Sequence, residues 1–239
     1  MLPHTIVFIP GLLLTERLFH AQEDTLRAYP HITVTHANTL DHDSIKGMAE
    51  EILDRLDGFF IPVGLSMGGC VVNELVKLAP ERLEGIALLS TNARKDDEAR
   101  KRVRRELILM STIGKFKGVT PRLLPRLLSS EALKDEVLTS AVIEMAEQVG
   151  QQNFALQQDA LMGRHAHLET LSGFHKPSLV LCGDLDDLTP PEWSHEMAAV
   201  LSDVECVILP GVGHLSSMEA PNAVSAGLIR LIKRIDATH

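Results

Sequence analysis

Cysteine is scarce in this chain, and so is any long uninterrupted apolar run. Only three thiols, Cys70, Cys182 and Cys206, occur in 239 residues. They lie inside apolar runs and are odd in number, which argues against a disulfide framework and predicts buried, reduced side chains. None stands at a recognisable turn beside a base, so a cysteine nucleophile is set aside. No stretch approaches the roughly 18 uncharged apolar residues of a membrane span, and Met1 to Thr5 lacks a basic segment leading into a long apolar one. An excess of positive charge is missing too. The 23 basic and 32 acidic residues give a net charge of -9, a sign that does not attract a nucleic-acid backbone or an anionic lipid. Internal repeats and low-complexity linkers are also absent. The expectation is a soluble, cytoplasmic chain with no nucleic-acid or membrane partner; nothing in the sequence bears on its oligomeric state.

What is present is the composition of a globular protein, 45% apolar and 23% charged, enough to bury one large core. Short β-branched runs alternate with helical patterns, the signature of βαβ units and a mostly parallel twisted sheet with helices on both faces. Thr5 to Ile9 is almost wholly apolar, as a strand covered on both faces should be. A helix from about Arg17 to Ala28, a strand from Ile32 to Thr35 and a helix from about Ser44 towards Leu56 follow. Next come a strand over Phe59 to Val63, a helix over Val71 to Leu78, which stops before Pro80, and a strand over Gly85 to Ser90. From Asn92 to about Gly173 strand signals vanish and four helical segments replace them: Asp96 to Met110, Leu123 to Leu128, Glu131 to Gln148 and Asn153 to Met162. So long an insertion between two strands predicts a helical cap, residues 92–173, on an α/β core made of 1–91 and 174–239. The core resumes with strands over Ser178 to Cys182 and Val204 to Leu209, and with helices over Pro191 to Leu201 and Asn222 to Ile235.

Gly64-Leu-Ser66-Met-Gly68 immediately follows an apolar strand and precedes a helical pattern, the context a nucleophile elbow requires. A strand that turns abruptly into a helix forces the serine into a strained conformation, and flanking glycines remove side chains that would collide with nearby backbone. Alone, the pattern is equally a glycine-rich turn with a buried serine. A serine hydroxyl needs a base, and the base needs an orienting carboxylate. His214, in Pro210-Gly-Val-Gly-His214 just after the last strand, is the candidate base. His4, His20, His31 and His239 look peripheral, and His195 falls mid-helix. The carboxylate candidates are Asp184, Asp186 and Asp187, which leave the carboxyl end of a strand, where ligands of parallel sheets bind. The order Ser, Asp, His is the one this architecture uses.

With these residues in place, the chain resembles the α/β-hydrolase superfamily, specifically its small, capped esterase and lactonase-like serine hydrolases. The similarity runs from Phe8-Ile-Pro-Gly11 through Gly64 to Gly69 and Leu78-Ala-Pro-Glu-Arg82 to Gly213-His214 and Glu219-Ala-Pro221. The acid segment of that family resembles Gly-x-x-Asp-x-x-x-Pro and aligns Gly183, Asp186 and Pro190, which singles out Asp186 as the acid beside Ser66 and His214. The resemblance also implies an oxyanion hole from the backbone N–H groups of Met67 and Leu12, with Pro10-Gly11 where relatives commonly have His-Gly. It further implies a trimmed sheet of about six strands, no metal, no cofactor, and a small or medium carboxylic ester as substrate. Lactone, thioester or C–C bond cleavage, and lyase chemistry, use the same three side chains. A ligand-sensing receptor of the same fold is the rival of another class.

Other signals have plainer readings. Arg100-Lys-Arg-Val-Arg-Arg105 reads as a solvated helix face, with an anionic acyl carrier or a substrate carboxylate as the alternative ligand. His165 with His167, and His36 with Asp41, His42 and Asp43, lack a full ligand set at a known spacing, although the His42 to Asp43 loop is placed to approach the site. Among the apolar residues of the insertion, Leu107, Met110, Leu123 and Leu127 are open between packing and pocket wall.

Overall fold

A computed structural model describes residues 2–113 and 115–238; Met1, Gly114 and His239 lie outside the described residues, and with them the expectation that His239 is peripheral. The chain runs β1 (His4–Ile9), α1 (His20–Leu26), β2 (Ile32–His36), α2 (Ile45–Arg55), β3 (Ile61–Leu65), α3 (Met67–Leu78) and β4 (Ile86–Leu89). It continues through α4 (Glu98–Ser111), α5 (Glu136–Gly163) and α6 (Leu168–Ser172) to β5 (Ser178–Gly183), α7 (Pro191–Val200), β6 (Val204–Leu209), α8 (Ser216–Glu219) and α9 (Pro221–Asp236). The six strands form one sheet in the order β2-β1-β3-β4-β5-β6, and every pairing is parallel.

Alternation along β1 divides the core. Ile6 and Phe8 point into a cluster shared with Leu26 of α1 and Leu228 and Leu231 of α9. Val7 and Ile9 point the other way, towards Met48 of α2, Val71 and Leu75 of α3 and Met197 of α7. Successive strand side chains face opposite sides of a sheet, so a run apolar at every position needs helices on both.

Several boundaries differ from the sequence reading. The strand expected over Phe59 to Val63 is β3, two residues later, because Gly64 and Leu65 continue the ladder opposite Leu88 and Leu89 while Phe59 is exposed. The helix expected from Val71 begins at Met67, so Gly68 and Gly69 belong to its first turn. The helix expected over Leu123 to Leu128 shrinks to a single 3-10 turn at Leu124–Arg126, where Pro125 has no N–H to donate. The two helices expected over Glu131 to Gln148 and Asn153 to Met162 are one element, α5, broken at Gly150, whose φ of 75° is left-handed. α5 starts late because Asp135 caps it, accepting from the N–H groups of Val137 and Leu138.

Two burial expectations are corrected. Cys206 is exposed, since β6 is an edge strand and one face is only partly covered. His4 is buried rather than peripheral, with ring nitrogens 3.1 Å from Glu84 Oε1 and 3.2 Å from Asp236 Oδ1. Among the described residues, no helix is long and apolar enough to cross a membrane.

Candidate active site

Three segments at the carboxyl ends of β3, β5 and β6 converge on one cavity. Between β3 and α3 lies Ser66, with φ 59° and ψ -114°, a conformation that costs a non-glycine residue about 1–3 kcal/mol and persists only where the surroundings impose it. Its neighbours impose it here. A Cβ on Gly64 would lie 2.2 Å from the carbonyl oxygen of Gly68, and one on Gly68 would lie 1.9 Å from that of Ile9. The helix therefore starts in backbone contact with the sheet. The Ser66 N–H donates to the Leu89 carbonyl at 3.0 Å, and the Thr91 hydroxyl donates to the Ser66 carbonyl at 2.7 Å.

The loop after β6 carries His214, held by its N–H donating to the Leu127 carbonyl at 3.1 Å. Its Nε2 lies 3.0 Å from Ser66 Oγ. On the opposite edge of the ring, Nδ1 lies 3.0 and 2.9 Å from the two oxygens of Asp186. A carboxylate only accepts, so Nδ1 carries the proton and Nε2 presents a lone pair to the serine hydroxyl.

Asp186 sits in the turn after β5. Its Oδ1 accepts from the N–H groups of Leu188 and Thr189, each at 2.9 Å, and its Oδ2 accepts from the Thr189 hydroxyl at 2.7 Å. Burial alone would push its pKa up; His214 opposite it and the donors of Thr189 outweigh that and hold the carboxyl below its ordinary value. On the neighbouring Cys182, burial and the nearby carboxylate act in the same direction. Burial, with Asp186 beside it, pushes that thiol up to about 12, so it is an inert thiol rather than a nucleophile.

Of the other two aspartates considered, Asp184 accepts from the Gly211 N–H at 2.7 Å, and Asp187 lines the cavity. Leu12 and Met67 line it as well, and neither backbone N–H has a hydrogen-bond partner among the described residues. Met67 is the first residue of α3, so its N–H has no partner within the helix and sits at the positive end of the helix dipole. The loop bearing Leu12 is pinned by Gln157 of α5, whose Oε1 accepts from Leu13 N–H at 3.0 Å and whose Nε2 donates to the Thr39 carbonyl at 3.2 Å.

The cavity measures about 470 Å³, with Ser66 and His214 on its wall and Val103, Leu107 and Leu161 supplying apolar surface. Of the apolar candidates, Leu107 lines it, Met110 and Leu123 are exposed, and Leu127 packs on the core. The basic run divides. Arg100, itself exposed, and the half-buried Arg104 line the cavity, while Arg102 and Arg105 are exposed and do not line it. Of the histidines weighed as metal ligands, three are each paired with a single carboxylate. His36 lies 3.1 Å from Glu23 and His167 lies 3.0 Å from Glu74, while His42 pairs with Glu51. Neither His42 nor Asp43 lines the cavity, contrary to the expectation for that loop. Among the described residues no group of three or more His, Cys, Asp or Glu side chains is placed to hold a metal ion.

Thr189, Gln157, Asp96 and Arg164 were not singled out from the sequence. Thr189 had a local signal, because an aspartate three residues before a threonine-proline pair builds an Asx-type turn. Gln157 meets Leu13 across 144 residues of chain and Arg164 meets Asp96 across 68, where no local pattern reports contact.

The sequence profile of the alpha/beta hydrolase family matches residues 6–226. A Mycobacterium tuberculosis chain, provisionally named a non-heme bromoperoxidase, BpoC, is 27% identical over 181 residues, which is 73% of this chain and 68% of that one. Among solved structures, a thermophilic esterase from Thermogutta terrifontis superposes with a TM-score of 0.87 at 22% identity, covering 98% of this chain and 91% of the other. The enol-lactonase from Burkholderia xenovorans LB400 superposes with a TM-score of 0.86 at 20% identity, covering 96% and 91%. At these identities the two structures establish the shared fold.

Proposed function

The chain belongs to the alpha/beta hydrolase family, and from that premise we propose that it is a serine hydrolase of small or medium carboxylic esters, with Ser66 as nucleophile, His214 as base and Asp186 as the orienting acid. The observation that carries the reading is the unbroken line of hydrogen bonds from Asp186 through His214 to Ser66 Oγ, ending at a cavity with two unpartnered backbone N–H groups.

In this mechanism Ser66 Oγ attacks the acyl carbon while His214 Nε2 takes the hydroxyl proton. The electron pair of the carbonyl moves onto its oxygen, which accepts hydrogen bonds from Leu12 and Met67 N–H; one such donor lowers the barrier by about 2.7–4 kcal/mol in enzymes of this kind. His214 then gives its proton to the departing alkoxide, leaving an acyl-serine. Water attacks that ester, again losing its proton to Nε2, and the acid departs as Ser66 recovers its hydrogen. Asp186 remains ionised throughout and stabilises the imidazolium. Residues 92–173 act as a cap whose α4 and α5 supply part of the substrate wall.

The test uses p-nitrophenyl acetate and butyrate with the wild-type protein and Ser66→Ala, together with labelling by a fluorophosphonate. Steady turnover and labelling by the wild type, both lost in Ser66→Ala, are expected. Equal rates or equal labelling in the two proteins would remove the hydrolase reading. Labelling of Ser66 without steady turnover would favour the ligand-sensing alternative.

A further inference from the structure

An acidic chain concentrates four arginines, Arg100, Arg104, Arg126 and Arg164, around the cavity that holds Ser66 and His214. They come from three separate parts of the chain. Arg100 and Arg104 lie one turn apart on α4, Arg126 lies in the 3-10 turn before α5, and Arg164 directly follows α5. Arg100 and Arg126 line the cavity while remaining exposed, whereas Arg104 is half-buried and Arg164 is buried.

Their own pairing is incomplete. Asp96 is buried and serves two of them at once, its Oδ1 accepting from Arg164 Nη2 at 2.7 Å and its Oδ2 from Arg104 Nε. Arg104 also donates to Gln158 Oε1 at 2.7 Å, and Arg164 to Cys70 Sγ at 3.2 Å. Arg164 Nε is nevertheless buried without a hydrogen-bond partner among the described residues. Such an orphan donor costs about 1–3 kcal/mol unless something satisfies it. Neither Arg100 nor Arg126 has a salt-bridge carboxylate among the described residues. Arg100 instead lies over the Trp193 ring, 4.5 Å from its centroid. Burial and the guanidinium groups of Arg164 and Arg104 outweigh Asp96 and Asp97 and lower its pKa.

Two aspartates also line the cavity. Asp97 is engaged as the cap of α4, accepting from Arg100 N–H at 2.8 Å, and Asp187 is the other. What remains is a wall rich in cationic forks, two of them without a carboxylate partner among the described residues, on the cavity that also holds Ser66. Guanidinium groups match the planar, two-oxygen geometry of carboxylate and phosphate.

We infer that the substrate carries an oxyanion, a carboxylate or a phosphate, away from its scissile carbonyl, and that Arg100 and Arg126 select for it. This inference rests on the serine-hydrolase reading above and narrows it from esters in general to anionic ones.

Turnover of the p-nitrophenyl hemiester of glutaric acid is compared with that of p-nitrophenyl valerate, which has a similar acyl length and no charge. The wild type is expected to show at least a tenfold higher kcat/KM for the hemiester, a preference that shrinks as sodium chloride is raised. Arg100→Gln combined with Arg126→Gln should bring the ratio close to one. Arg102→Gln, on the same helix but outside the cavity lining, should keep the wild-type ratio and so reports on charge loss in general. A wild-type ratio at or below one, or an equal fall of the ratio in Arg102→Gln, would overturn the inference.

A second arm separates this inference from the reading beneath it. Glutarate and inorganic phosphate are each titrated against Ser66→Ala while the melting temperature is followed. Stabilisation lost in the variant that also carries Arg100→Gln and Arg126→Gln supports an oxyanion site even if no ester is hydrolysed, and whichever ion stabilises names the group. No shift with either ion, at concentrations where the wild type discriminates no anionic ester, overturns it.

Discussion

Asp186 faces His214 with both carboxylate oxygens, 3.0 and 2.9 Å from the same ring nitrogen. Three further donors, from Leu188 and Thr189, fix that carboxylate from behind. Asp186→Asn would keep the shape and invert the logic. An amide NH2 facing Nδ1 favours the tautomer whose proton sits on Nε2, where no lone pair is left for the Ser66 proton. The expected result is a fall in kcat of about 10⁴ with KM little changed, the size seen when a comparable carboxylate is neutralised elsewhere. Steady-state kinetics on a p-nitrophenyl ester checks it, and a fall below tenfold would show that Asp186 does not orient the base.

Glu74 of α3 and His167, at the start of α6, form a buried pair, Oε2 to Nε2 at 3.0 Å. The hydrogen bond from His167, opposed by burial and aided by Lys77, holds the Glu74 carboxyl below its ordinary value. A depressed folded pKa gives stability that is present above the unfolded value of about 4.3 and lost as pH falls through the folded value. Glu74→Gln should therefore melt below the wild type at pH 7, with the gap closing as pH is lowered through the carboxylate range. Thermal melts of both proteins across that range provide the measurement; a gap independent of pH would assign the loss to packing rather than to charge.

Asp96 is the shared partner of Arg104 and Arg164, and its side chain is fully buried. Removing the carboxylate leaves the nearly buried Arg164 guanidinium without an anion. Loss of one member of a buried pair typically costs about 3–5 kcal/mol. Asp96→Ala should lower the urea midpoint accordingly, whereas Glu196→Ala, which breaks the more exposed pair with Arg94, should change stability by at most about 1 kcal/mol.

The three thiols should separate in reactivity. Cys206 is exposed on the edge strand, whereas Cys70 and Cys182 are buried and the Cys182 thiol is pushed up to about 12. Iodoacetamide under native conditions is expected to modify Cys206 and to leave the other two until the protein unfolds, as peptide mass mapping would register. Alkylation of Cys182 at the same rate as Cys206 would contradict the burial of the turn behind Asp186.

What the sequence disclosed and what it concealed follow from the range over which each feature is encoded. Strands β1, β5 and β6 are short apolar runs bounded by turn residues, and Ser66, Asp186 and His214 each lie just beyond a strand, so local pattern and chain order locate them. Residues 92–173 gave up less. Pro125 reduced one expected helix to a turn, and Gly150 left two helical patterns joined in one broken element. The basic run on α4 is exposed at Arg100, Arg102 and Arg105, as its pattern suggests, but Arg100 and Arg104 also line the cavity, which only the packing of α5 and the Asp96 loop brings about. Gln157 meets its partners, and Arg164 meets Asp96, through the tertiary arrangement alone, and no spacing in the sequence reports it.

Two glycines test opposite sides of the packing argument. A methyl on Gly68 would stand 1.9 Å from the Ile9 carbonyl oxygen and 2.7 Å from its carbon, both of them backbone atoms of the central sheet that no rotamer change can move. Gly68→Ala must therefore lift the start of α3 off β1 and, with it, shift Ser66 relative to His214. Destabilisation of about 3 kcal/mol is expected, at the upper end for overpacking, together with loss of ester turnover. Gly163, the last residue of α5, is exposed, and nothing lies within 4 Å of the methyl it would gain. There alanine removes backbone freedom from the unfolded chain and should leave stability unchanged or raise it by up to about 1 kcal/mol. Urea denaturation of both variants beside the wild type decides the matter: a tolerated Gly68→Ala would mean that strand and helix are not in contact at the elbow, and the strain assigned to Ser66 would lose its cause.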